Sequence, residues 1–146
     1  MSLDNLLGRT LERIEPTPDS IQKLLEAARR NMDDAAVTRI STETRFDAAY
    51  KAIMQLANAA LQANGYRTLT SRPGHHQTMI QTLPLTVDLD QNTVIVLDGL
   101  RKQRNIADYS GDPVTHAALK ECLKTARALY NAVQQWLHHY RPDLLS

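Results

Sequence analysis

The sequence predicts an all-α fold: an antiparallel up-down helical bundle of the four-helix type, with an extra helical hairpin at its N-terminal end. Three observations carry this. Glycine is scarce, at 5 of 146 residues, whereas alanine, leucine, glutamine and arginine, all good helix formers, abound. Apolar residues recur at three- and four-residue intervals through most of the chain. Period-two alternation is lacking, so the β-branched run Thr93-Val94-Ile95-Val96-Leu97 has no partner strand and reads as the buried start of a helix.

Taken in order, Leu6, Leu7, Leu11 and Ile14 predict a short helix over 4–14, stopped by Glu15-Pro16. Thr17 then caps a second helix with Pro18 in its first turn, and Ile21, Leu24, Leu25 and Ala28 share a face as far as about Ala36. These two helices form the predicted hairpin, residues 1–37, packed outside a bundle spanning 38–146. Ser41 or Thr42 opens the best-defined helix, where Phe46, Ala49, Tyr50, Ile53, Ala57, Ala60, Leu61 and Asn64 keep helical spacing. Its many alanines imply a close neighbour, and Gly65 supplies a left-handed stop. Residues 66–73, ending in Arg72-Pro73, read as a loop, and 74–83 as a short helix ended by Pro84. After a connection over 85–92, Asn92 or Thr93 caps a helix to Tyr109 that contains Gly99. Asp112 and Pro113 restart the chain as a last helix to His139, with Thr115, Leu119, Cys122, Ala126, Leu129, Val133 and Leu137 inside and Pro142 as its stop.

A hydrophobic fraction of 42% with 23% charged residues belongs to a globular domain, and a net charge of +1 means that nucleic-acid binding must rest on a local patch. No apolar run approaches the roughly 18 residues of a membrane span, and the start lacks a secretory pattern. The single Cys122 lies on an apolar stripe, as a buried thiol in a reducing compartment does, so a cytoplasmic location is expected. Gly-rich phosphate loops, Ser–His–Asp contexts and paired carboxylates of the glycosidase kind are missing. No cofactor is expected. His75-His76 point to different helix faces without a third ligand, so no metal is expected either. His138-His139 sit where positive charge suits a helix end.

The chemistry concentrates in 101–109. On a helical wheel, Val96, Leu100, Gln103 and Ala107 fall on one side, which is expected to face the bundle. Arg101, Arg104, Asn105 and Asp108 share a neighbouring arc of roughly 100°. One reading is an intrahelical ion pair, since Arg104 and Asp108 are four apart. The other is a phosphate or RNA-backbone site, because the guanidinium fork suits phosphate oxygens.

The string Arg104-Asn105-Ile106-Ala107-Asp108-Tyr109, late in the middle long helix of an alanine-rich bundle, resembles the signature of the HEPN superfamily. These are small helical bundles associated with nucleotide binding and RNA cleavage, often in toxin–antitoxin or other defence systems. The chain is similar to the branch with an arginine, two variable residues and Ala-Asp-Tyr, over residues 41–140. The resemblance implies a homodimer whose interface cleft is lined by Arg104 and Asn105, with Asp108 and Tyr109 matching the Asp-Tyr variant. RNA or a nucleotide is then the ligand, and a separate nucleotidyltransferase or antitoxin chain a possible partner. The family's catalytic histidine has no match between Arg101 and Pro113. Cleavage needs a base and an acid. Asp108 beside two arginines is a poor base, whereas His75 or His76, if one reaches the Arg104 patch from the preceding helix start, would supply the missing acid or base. The candidate catalytic residues are therefore Arg104, Asp108 and His76, and the candidate RNA-binding residues Arg101, Arg104, Asn105 and Tyr109. The competing expectation is a protein-interaction or dimerisation module with no nucleic-acid function.

Overall fold

The computed structural model describes residues 2–71 and 73–145; Arg72, placed by the sequence in the loop before the short helix, lies outside them. The described residues form a mostly helical fold: six helices and one two-stranded ribbon, with short 3-10 turns at Leu3–Leu6 and Pro142–Leu145. The helices are α1 (Pro18–Ala35), α2 (Thr42–Ala63), α3 (His75–Gln81), α4 (Leu83–Thr86), α5 (Gln91–Ser110) and α6 (His116–Tyr140); the strands are β1 (Leu11–Arg13) and β2 (Tyr66–Thr68).

The first segment departs from the sequence reading. Residues 4–14 form no helix but a 3-10 turn followed by β1, and the predicted loop at 66–73 begins with β2. The two strands pair antiparallel, with Leu11 opposite Thr68, Glu12 opposite Arg67 and Arg13 opposite Tyr66. Gly8 explains the failure of the helix. It stands in the middle of an 11-residue window at φ +78°, a conformation that breaks the helical ladder before it can nucleate. Leu11 is then fully buried, and the Ile14 N–H donates to the Gly65 carbonyl at 2.9 Å, which ties the chain start to the end of α2. A ribbon of three residues per strand thus stands where the first helix of the predicted hairpin was expected.

α1 starts as the sequence predicts. The Thr17 hydroxyl accepts from the Ser20 N–H at 3.2 Å, and Pro18 occupies the first turn. It packs along α2 rather than outside the bundle, and Ile21, Leu25, Ala28 and Ala35 belong to the same buried core as α2. Its C-terminal carbonyl at Ala35 accepts from Arg45 Nε at 2.8 Å, which satisfies a helix-end acceptor with a charged donor.

α2 is the central element. Ser41 caps it through the Thr44 N–H at 3.1 Å, and Gly65 follows its end at φ +92°. Its buried residues run almost around the helix, from Phe46, Ala49 and Tyr50 to Met54, Leu56 and Ala59, as expected of a helix with neighbours on several sides. α1 and α6 cover it on two sides, and α3, α4 and α5 pack on it elsewhere.

Pro84 does not end the short helix. α3 stops at Gln81, and after buried Thr82 the proline enters the first turn of α4, where no N–H is needed. α5 is capped by Asp90, not Asn92 or Thr93, through the Thr93 N–H at 3.1 Å. α6 begins after Thr115 rather than at Pro113, because the Val114 N–H is drawn to Glu43 Oε2 of α2 at 3.0 Å, which keeps 112–115 out of the helix. Its inner stripe is the predicted one from Leu119 through Cys122, Ala126, Leu129 and Val133 to Leu137, whereas Thr115 is exposed and caps the helix by accepting from the Ala118 N–H at 3.1 Å.

The inward side of α5 is wider than predicted. Val94, Leu97 and Leu100 are its buried residues, Val96 and Ala107 are half-buried and pack against the core, and Gln103 is half-buried. The helical stripe through Val94 and Leu97 continues at Arg101, Arg104 and Asp108. The inward face of α5 therefore changes from apolar to charged about halfway along.

Candidate functional site

Where α5 becomes charged, it faces a cleft of ≈ 420 Å³ bounded by α2 and α3. Helix periodicity on α2 presents Asp47, Tyr50, Lys51, Met54, Gln55 and Asn58 to it as one stripe; α3 contributes His76 and Met79, and α5 Arg104. The site depends on local features already described. The Asp90 cap sets the phase of α5, and Gly74, left-handed at φ +81°, turns the chain into α3 so that His76 follows in its first turn.

Tyr50 is the centre of the arrangement. It is 2% exposed, and its ring lies under the Arg104 guanidinium, whose carbon is 5.0 Å from the ring centroid. Its hydroxyl is 3.3 Å from His76 Nδ1. One aromatic side chain thus holds a guanidinium on its face and an imidazole at its tip. Burial dominates the electrostatics here. It pushes the Tyr50 phenol up to about 12 against the opposing pull of Arg104 and Arg101, so the phenol stays protonated. Burial, then the charges on His75, Arg104 and Arg101, lower His76 below its ordinary value near 6.5, which makes it neutral at pH 7. Burial and the Asp108 charge raise Asp47, with Arg104 working against them.

The arginines differ in commitment. Arg101 donates to Asp98 at 3.0 Å, with its side chain only 17% exposed, so its partner is Asp98 and not Asp108. Arg104 meets Asp108 at 3.7 Å with both side chains substantially in solvent, a long contact of the kind worth about 0–1 kcal/mol. The Arg104 fork is thus held on Tyr50 but weakly paired, and can turn to an anion.

Of the residues singled out from the sequence, the structure brings Arg104 and His76 to one cleft, with Arg101 behind and Asp108 at the edge. Asn105 is half-buried outside the cleft lining, and Tyr109 projects away at 92% exposure. Sequence reasoning did not single out Tyr50, Asp47, Lys51, Gln55 and Asn58 as site residues. Their signal was a stripe of polar positions at three- and four-residue steps on a helix otherwise full of alanine. Among the described residues no three His, Cys, Asp or Glu side chains gather as a metal site, and no helix is long and apolar enough to cross a membrane.

Fold and site define a mostly helical protein with an arginine–tyrosine–histidine cleft between its central helix and two neighbours. No known family, curated protein or solved structure matches the chain.

Proposed function

We propose that this is a HEPN-like helical domain that binds RNA or nucleotide phosphate at the Arg104 cleft, as a ribonuclease toxin or defence component or a non-catalytic relative. The observation that supports it best is the meeting of Arg104 and His76 on Tyr50: a cation with a planar donor fork and a neutral imidazole in one cleft. A phosphate seated against Arg104 has charge-assisted hydrogen bonds available. For cleavage, His76 is the base that takes the 2′-hydroxyl proton as that oxygen attacks the phosphorus. The phosphate charge that develops lies against Arg104, and the departing 5′-oxygen takes a proton from water.

The motif's resemblance implies a homodimer with an antitoxin or a nucleotidyltransferase chain as partner, and the outer face of α5 offers a contact surface. Ile95 and Ile106 are exposed there, with Tyr109 one turn on. The same surface favours the second reading, a dimerisation module without nucleic-acid function. Arg104→Ala separates them. It is expected to abolish binding of single-stranded RNA at low salt without lowering Tm much, since a weak ion pair and the contact with the Tyr50 ring, each worth about 1 kcal/mol or less, are lost. Unchanged RNA affinity would leave the dimerisation module.

A further inference from the structure

The cleft has two chemically different ends. At one, Arg104, Tyr50 and His76 offer a cation and an imidazole. The other has no charged side chain at its tip. Met54 and two amides, Gln55 and Asn58, follow there along α2, and the cleft's two methionines, Met54 and Met79, are both nearly fully buried. From Tyr50 to Asn58 is eight residues, about 12 Å along the helix axis, a span suited to the reach of a nucleotide from phosphate to base edge.

The amides are not symmetric in what they offer. The Gln55 carbonyl oxygen accepts from Asn31 Nδ2 of α1 at 2.8 Å, and the Asn58 carbonyl oxygen accepts from Gln62 Nε2 at 3.2 Å. Each oxygen already accepts one hydrogen bond, whereas the N–H2 group of each amide is left to give. Lys51, between the two ends, is a donor as well. Asp47, the carboxylate of this stripe, stands one turn before Tyr50, at the far end from Asn58. The amide end is thus a donor-rich edge beside an apolar lining.

We propose that this end is a nucleobase subsite that selects guanine. A donor-rich wall is best matched by a base edge with adjacent acceptors and no donor. Guanine presents O6 and N7 in that way, whereas adenine sets an N6 donor beside N7, and cytosine presents an N4 donor. Met54 and Met79 supply apolar, deformable contact for the ring face. The inference rests on Arg104 as the phosphate site and adds to it which nucleotide is held.

Titration of the intact protein at low salt with GMP, AMP, 7-deaza-GMP and inorganic phosphate tests it. GMP is expected to bind about tenfold more tightly than AMP, and 7-deaza-GMP, which lacks only the N7 acceptor, to lose most of that advantage. Asn58→Leu is expected to bring GMP down to the AMP value while inorganic phosphate binds as before. The 7-deaza comparison uses unaltered protein, so it stands even if the variant folds poorly. Equal affinities for GMP, AMP and 7-deaza-GMP, all weakened by Arg104→Ala, would overturn the guanine subsite and leave the phosphate site standing. Absence of binding by every nucleotide and by phosphate would overturn both.

Discussion

The Arg104 guanidinium carbon lies 5.0 Å from the centroid of the Tyr50 ring, so a residue near the end of α5 is positioned by one in the middle of α2. The ring positions the cation and the hydroxyl meets His76, and these two roles separate by mutation. Tyr50→Phe keeps the ring and removes the hydroxyl. It is expected to cost about 1 kcal/mol of stability, the net worth of one part-buried hydrogen bond, in chemical denaturation. RNA affinity is expected to change less than twofold. A tenfold loss would show that the hydroxyl, not the ring, holds the ligand.

His76 makes stability depend on pH in a definite direction. Its folded value is lowered by burial and by neighbouring positive charge, so the unfolded chain binds the proton more readily. Stability is then full above the unfolded value of about 6.5 and falls as pH drops through it toward the lower folded value. Denaturation midpoints between pH 7.5 and 5 are expected to fall more for the wild type than for His76→Gln. Parallel curves for the two proteins would show that His76 titrates as it does in the unfolded chain.

If His76 is the base for strand cleavage, the rate is expected to rise with pH, with its midpoint below the ordinary value of about 6.5, and then level off, since the imidazole must be unprotonated. His76→Gln is expected to lose 10²–10³-fold in rate, an order-of-magnitude figure for a lost general base, roughly as such catalysis contributes. An identical pH–rate profile in wild type and His76→Gln would remove His76 from the chemistry.

Leu11 and Ile21 test whether the chain start belongs to the core. Both are fully buried in the cluster that includes α2. Leu11→Ala and Ile21→Ala are each expected to cost about 2–5 kcal/mol, read from denaturant midpoints. A cost below about 0.5 kcal/mol for both, the range of surface changes, would make the segment an appendage.

Cys122 is expected to be inert in the native state. It is fully buried, and burial, followed by the Asp47 charge, pushes its thiol up to about 12. A thiol reagent at pH 8 should modify it only in denaturant. Rapid labelling of the folded protein would mean that α6 opens from α2.

Helix starts were legible where one side chain and its next turn decide the matter: Thr17 with Ser20, and Ser41 with Thr44, are local pairs. So was the α6 stripe, because seven buried positions in phase outweigh any single exception. The site was legible only in part. Arg104 stood out by its motif and His76 by its place at a helix start, but Tyr50 looked like one more core aromatic.

What the sequence determined by itself is the mostly helical class, the caps of α1 and α2, and the buried faces of α2 and α6, because those rest on interactions a few residues apart. Tertiary structure decided the rest. β1 exists because β2, some 55 residues later, offers hydrogen-bond partners that a helix broken at Gly8 would lack. α6 starts late because Glu43 of α2 takes the Val114 N–H. The charged half of α5 faces inward because Val94 and Leu97 bury first, and a rigid helix then carries Arg101 and Arg104 round to Tyr50 and His76.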